Sequence, residues 1–386
     1  MSDLVPGKLA QYRRIVVKIG SSLLTTGESK LNRPWLSSLV EDLARLAKDG
    51  HQLMVVSSGA IALGRRSMQS TRPELLEGLL RLNQSQAAAS IGQILLSSAY
   101  DQLLSEYGLK AAQILLTIGD TEIRRQYLNA KATIGTLLKW SAIPIINEND
   151  TVATDVIRYG DNDRLAARVA SMMDADLLIL LSDVEGLYAE PPDVNPDAEL
   201  LAEVSDITPE ILAMAGDAAS IHSRGGMKTK IEAARIATEA GSAMVIASGR
   251  ELHSLRRLDQ NGPGTWFTAN PATRNAKKQW IAGGLHLPGK ISIDNGAFLA
   301  LESGNSLLAA GITKVSGDFE RGDSVEVIGP NGHVLGRGLI EYDSAEARLI
   351  VGLKTAEIMQ RLGPNIRAAL IRRENLVLEV ENLIGF

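Results

Sequence analysis

The chain has no cysteine among its 386 residues. That excludes disulfides, thiol nucleophiles and thiolate metal sites, and it fits a reducing compartment. Histidine is scarce too. The five, at positions 51, 222, 253, 286 and 333, show no metal-ligand spacing and read as surface or structural residues. Long apolar runs are missing: the stretch from Leu177 to Leu181 is far short of a membrane span. The N-terminal MSDLVPGKLAQYRR lacks the apolar centre of a signal peptide, so a cytoplasmic protein away from membranes is expected. With a net charge of −5 there is no basic excess to draw nucleic acid. No long-period repeat or low-complexity tract appears.

What is there is ordinary globular material, 45% hydrophobic and 22% charged, enough for a large core in two or three domains. The first two-thirds alternates short apolar runs with helical patterns. Strands are predicted at Arg14-IVVKIG, Gln52-LMVV, Ile143-PII, Asp176-LLILL and Ala243-MVIA. Helices are predicted over 36–49, 85–107 and 227–240, each followed by a glycine. Wholly apolar strands alternating with helices imply a parallel sheet covered on both faces, an α/β/α sandwich with ligands beyond the carboxyl ends of the strands. The segments there are GSS, SSGA, NENDT and SDVEG, all small and polar. After about residue 262 the pattern changes. Asn261-GPG and Asn270-PATRN suggest a linker, and KISID, SVEVIG, HVLGRGLIEY and ARLIVG read as the strands of a small barrel or sandwich.

Four segments carry candidate chemistry. In Val17-Lys18-Ile19-Gly20-Ser21-Ser22 a strand-end lysine points a charge into the cleft, and the next amides and hydroxyls can meet phosphate. The lysine precedes the glycine, so this is not a Walker A loop. Gly284-LHLP-Gly289-Lys290 comes closer to that motif but continues with Ile291, without the metal-binding hydroxyl, and reads as linker and strand. Ser57-Ser58-Gly59-Ala60 is a strand-to-helix turn suited to an anion and lacks the GxSxG of a nucleophile elbow. Asn147-Glu148-Asn149-Asp150-Thr151 and Gly160-Asp161-Asn162-Asp163 could hold an amino group, orient lysines or contact metal. Their spacing excludes an EF-hand, and turn chemistry alone is the plain alternative. In Arg224-Gly225-Gly226-Met227-Lys228-Thr229-Lys230 two glycines open a helix whose first turn holds lysines. That opposes the helix dipole unless an anion binds there.

Taken in order, VVKIGSS, VSSGAIALG, PIINENDTVAT, GDND, LLILLSDVEGLY and RGGMKTKIEAA resemble the glutamate 5-kinases of the amino-acid kinase family. GKISIDNGAFLALESGNSLL and FERGDSVEV resemble its C-terminal PUA domain. The resemblance implies a kinase domain over 10–265, a linker over 266–287, a β-barrel PUA-like domain over 288–366 and an extension over 367–386. It implies that Lys18 and Lys230 contact the phosphates of ATP, and that Ser182, Asp183 and the loop Arg224, Gly225, Gly226, Met227, Lys228 and Thr229 hold the nucleotide. Ser58, Asp150 and Asn162 would bind L-glutamate, and Asp163 would order the lysines. Mg²⁺ would be held mainly through the phosphates, with no protein ligand. Ser223-Arg224 stands where the family usually has Gly-Thr, and Ser182 replaces a common Thr. Also implied are a homo-oligomer, inhibition by proline as end product, and contact with the next enzyme of that pathway. The alternatives are another carboxylate kinase, such as one acting on N-acetylglutamate, and an RNA-binding or RNA-modifying PUA protein. Against RNA, residues 281–386 hold ten Lys and Arg against thirteen Asp and Glu, a net of −3.

Overall fold

The structure is a computed structural model, and it describes residues 7–26, 30–76, 78, 80–152, 161–190, 192, 195, 197–215, 226–269, 287–362 and 369–378. The chain divides into two compact units, 1–271 and 272–386.

The first unit is built on an eight-stranded sheet. Its strands are β1 (Arg14–Ile19), β2 (Gln52–Val56), β3 (Lys110–Leu116), β4 (Ala142–Glu148), β5 (Leu177–Ser182), β6 (Glu203–Val204), β7 (Ala243–Ser248) and β8 (Thr265–Phe267). Their order is β3-β4-β2-β1-β5-β7-β8-β6. Neighbours run parallel except β7 and β8. Strand β1 is central, with β2 on one side and β5 on the other. The chain therefore reverses its direction of winding around β1, and the carboxyl ends of β1, β2, β4 and β5 form the crevice where such sheets bind ligands.

Successive strand residues face opposite sides, and the core separates accordingly. Ile15, Val17, Ile19, Leu53, Val55, Ile145, Ile179 and Leu181 enter one cluster, with Leu36, Leu39 and Leu43 from the helix Arg33–Lys48 and Leu96 and Tyr100 from the helix Leu82–Ser105. Val16, Met54, Val56, Ile146, Leu178 and Leu180 enter the other, under the helices Arg124–Lys139, Asp161–Met172 and Met227–Glu239. These two layers are the helical cover expected of an α/β/α sandwich. Near the crevice the helix Ala60–Ser67 crosses Leu82–Ser105 with backbones touching. A Cβ at Gly64 would lie 1.8 Å from the Ala88 carbonyl oxygen, and one at Gly92 would lie 1.8 Å from that of Ala60.

Several features of this unit differ from the sequence reading. Strand β3 was not anticipated, because it is an edge strand with Lys110, Gln113 and Leu115 exposed and so lacks a continuous apolar signal. The three residues of β8 are too few to show a period. The helix expected over 85–107 starts and ends earlier, at Leu82–Ser105.

The second unit contains β9 (Gly289–Ile293), β10 (Ile312–Gly317), β11 (Ser324–Ile328), β12 (Val334–Ile340) and β13 (Ile371–Leu378), in the order β10-β9-β11-β12-β13. A bridge from Leu307 to Ile371 carries the chain ahead of β10 to the opposite edge strand, as in a small barrel. Ile291, Phe298, Val325, Val327, Leu335, Ile340 and Ile371 give this unit its own core. The ARLIVG segment is not a strand. Asp343 and Glu346 form a capping box, and the helix Ser344–Leu349 takes its first three residues. Most of the expected linker, 270–286, and the end of the extension, 379–386, lie outside the described residues.

Candidate active site

Strand parity decides what faces the crevice. Lys18 follows Val16 on the side covered by the helices Asp161–Met172 and Met227–Glu239, and those helices bring Asp163 and Lys230 to it in their first turns. All three are buried, with Asp163 only 1% exposed and each lysine 7%. The Lys18 ammonium pairs directly with Asp163 Oδ1. Lys230 Nζ lies 3.5 Å from Asp163 Oδ2, and Thr229 Oγ1 donates to that oxygen at 3.1 Å. Burial alone would push the Asp163 carboxyl up in pKa. The ammoniums of Lys18 and Lys230, with the hydrogen bonds from Lys18 and Thr229, outweigh it and hold the group below the usual carboxylate range. One buried carboxylate thus fixes two cations at the carboxyl end of β1.

Of the nucleotide-loop candidates, Gly226 to Lys230, Ser182 and Asp183 are among the described residues. Gly226 caps the helix Met227–Glu239 without a side-chain hydrogen bond, and the first turn has no acidic residue, so backbone N–H groups remain for an anion. Met227 packs against the core, and Lys228 is exposed. Ser182 is buried at the end of β5 and donates to Asp183 at 3.0 Å. Arg224 and Gly225 lie outside the described residues, as does Gly160. The Gly284-to-Lys290 decoy is linker and strand where it is described: Lys290 sits in β9 and pairs with Glu326 at 2.9 Å.

A second cluster joins the first through adjacent residues, Asn162 and Asp163. Asn162 Nδ2 donates to Ser58 Oγ at 2.8 Å, Asn147 Oδ1 at 3.1 Å and the Ser57 carbonyl at 3.3 Å. Gly59, at φ +94°, turns the chain from β2 into the helix Ala60–Ser67 and leaves Ser58 beside Asn162. Ser57, one residue earlier, faces the opposite layer and meets the Tyr100 hydroxyl at 3.1 Å. Asp150 lies in the turn after β4. It lines a cavity of about 210 Å³ together with Gln93, Ile94, Leu115 and Glu148.

The sequence reading gave no role to Gln93 or Asn147. Both are buried, and Asn147 Nδ2 donates to Gln93 Oε1 at 2.7 Å. Asn147 stood inside a recognised motif. Gln93 is one polar residue on an apolar helix stripe, and nothing in its spacing marks it. Nor was Thr229 expected to touch Asp163.

A profile of the amino acid kinase family matches residues 13–248, and one of the PUA domain matches 289–362. The chain is 55% identical to a glutamate 5-kinase of Nitrobacter winogradskyi, over 96% of this chain and 97% of that protein. It is 56% identical to one of Brucella ovis, over 96% and 97%, and 54% identical to one of Rhodopseudomonas palustris, over 96% and 98%.

Proposed function

The chain belongs to the amino acid kinase family, among its glutamate 5-kinases, and we propose that Lys18, Lys230 and Asp163 carry its phosphoryl transfer. The reaction is ATP-dependent phosphorylation of the side-chain carboxylate of L-glutamate to L-glutamyl 5-phosphate. Asp163, meeting both lysines in a buried site, is the observation that carries the assignment of roles.

A side-chain carboxylate has a pKa of about 4.3 and is already an anion at neutral pH. Its oxygen attacks the γ-phosphorus without a general base, and ADP leaves with the electron pair of the broken bond. The difficulty is bringing an anion up to a polyanion, so catalysis consists of positioning and charge neutralisation. Lys18 and Lys230 supply two positive charges whose positions Asp163 fixes before substrate arrives. Gly226 and the N–H groups behind it, with Ser182 and Asp183, hold the nucleotide, and Arg224, Gly225, Met227, Lys228 and Thr229 complete that loop. Mg²⁺, when bound with ATP, supplies further neutralisation of the phosphates. Asp163 is engaged by two ammoniums and suits positioning lysines better than ligating metal, so the ion is assigned to the phosphate oxygens.

Ser58, Asp150 and Asn162 are the glutamate-binding residues in this reading. Asp150 supplies an anionic partner for a free α-ammonium, which an acetylated amine would not favour. Proline shares the amino-acid backbone and lacks the side-chain carboxylate, so it inhibits by competing at this site. The exposed Ile91, Ile94 and Leu95 on the helix Leu82–Ser105 support a homo-oligomer. Among the described residues no helix is long and apolar enough to cross a membrane. An ATP-consumption assay across L-glutamate, N-acetylglutamate and aspartate, with the acyl phosphate trapped by hydroxylamine, tests the reading. Turnover is expected with L-glutamate and little with the acetylated substrate. Equal turnover of the two would remove Asp150 as the ammonium partner.

A further inference from the structure

We infer that Gln93 is a positioning residue for the amino-acid substrate, acting through Asn147 to set the orientation of the Asn162 amide. The inference rests on the reading of Asn162 as a glutamate-binding residue.

The chain of contacts has only one consistent set of directions. The backbone N–H of Glu148, which can only donate, meets Asn147 Oδ1 at 2.9 Å. That fixes the oxygen end of Asn147, so its Nδ2 faces Gln93 and requires an acceptor there, Oε1 at 2.7 Å. Gln93 Nε2 is then left to donate, and it does so to Ser97 Oγ at 3.2 Å, one helical turn further along. At the other end, Asn147 Oδ1 and the Ser57 carbonyl are both acceptors, so the group of Asn162 that meets them is its Nδ2. The result is that Asn162 Oδ1 is buried without a hydrogen-bond partner among the described residues.

A buried acceptor left without a partner costs stability and calls for an explanation. Here a ligand donor supplies it. Of the groups on free glutamate at neutral pH, only the α-ammonium donates. Asn162 Oδ1 therefore takes a hydrogen from the ammonium, on the same substrate group that Asp150 attracts. A reversed Asn162 amide would present N–H to an ammonium and repel it. Gln93 matters because it is the acceptor that this direction of Asn147 requires: without it Asn147 Nδ2 is buried and unpaired, and the contact that holds the Asn162 amide loosens. It touches neither of the phosphate-site lysines, so its effect belongs to glutamate and not to ATP.

The test is steady-state kinetics of the full chain with Gln93→Met, which keeps the volume and removes the acceptor, and with Gln93→Glu, which keeps an acceptor oxygen. Loss of one buried hydrogen bond is worth about tenfold. In Gln93→Met the KM for glutamate should rise about tenfold, with the KM for ATP within about twofold, and Gln93→Glu should recover most of the loss. A glutamate KM that does not move, KM values that rise together, or a Glu variant no better than Met would overturn the inference while leaving the kinase assignment intact. No glutamate turnover by the unmodified chain would overturn both. If Gln93→Met does not fold, Ser97→Ala, a small change at a half-buried site, decides the matter. It should raise the glutamate KM about threefold and spare that for ATP, and an unchanged glutamate KM would overturn the inference.

Discussion

Lys18 and Lys230 meet on one carboxylate although they come from a strand near the start of the kinase unit's sequence and a helix near its end. Asp163 receives the first on Oδ1 and the second on Oδ2. Replacing either lysine by alanine leaves Asp163 paired with the other, so the fold should persist. Each replacement removes charge stabilisation of the transferring phosphoryl group, and kcat should fall about a hundredfold. Near-normal kcat in either variant, measured at saturating ATP and glutamate, would reduce that lysine to a structural role.

Asp150→Ala should separate the two substrates. The KM for glutamate should rise strongly while that for ATP changes little, because Asp150 sits in the turn after β4 and lines a cavity to which neither lysine contributes. Initial rates over a grid of both substrates check this. Parallel rises in both constants would show a general disturbance of the crevice.

Asp163 also sets a pH dependence of stability. Its folded pKa is depressed, so the stability it contributes is present above the unfolded carboxylate value of about 3.9. That contribution is lost as pH falls through the lower folded value. Asp163→Asn should therefore lower Tm most at neutral pH, with the gap to the unmodified chain narrowing in acid below about pH 4. Calorimetry from neutral to acidic pH measures the gap, and a constant one would mean the ion pairs contribute no net stability.

The second unit has its own core, and every proposed catalytic side chain lies in the first. A chain ending at Gln279 should fold and phosphorylate glutamate, and residues 281–386 alone should bind structured RNA weakly at physiological salt. A folded, inactive truncation would tie the PUA domain to the chemistry. Tight, salt-sensitive RNA binding would show that a local basic patch outweighs the net acidity.

Much of this site was legible in the sequence because its residues cluster by motif. Asn162, Asp163 and Lys230 sit in short polar segments at the start of helices, and Lys18 is a lone charge near the end of an apolar strand. The core strands β1, β2, β4, β5 and β7 were legible because both faces are covered, which keeps them continuously apolar. What escaped was set by partners rather than by spacing. Strand β3 is an edge strand broken by the exposed Lys110 and Gln113, the capping box at Asp343 overrode the strand-like ARLIVG, and Gln93 acquires its meaning only from the backbone N–H of Glu148 two links away.

Gly64 and Gly92 supply a further expectation. An added methyl at either overlaps a carbonyl oxygen of the facing helix, which a side-chain rotation cannot relieve. Gly64→Ala and Gly92→Ala should each cost about 1–3 kcal/mol or more in denaturant unfolding. Unchanged stability in both would mean the helices part without cost.

That crossing also constrains how the enzyme can diversify. The helix Ala60–Ser67 starts two residues after Ser58, and Gln93 directly follows Gly92. Bare backbone therefore sets how closely the segments that carry Ser58 and Gln93 can approach. A spacer made of glycine can be changed in one direction only, because every substitution adds atoms and drives the walls apart. Acceptance of a narrower substrate cannot arise at these positions, and a wider one arises there only through strain. Adaptation to a different carboxylate acceptor is thus channelled into the turn after β4, where Asn149 and Asp150 line the cavity and Thr151 meets the helix Leu82–Ser105 only through its hydroxyl on Ser90.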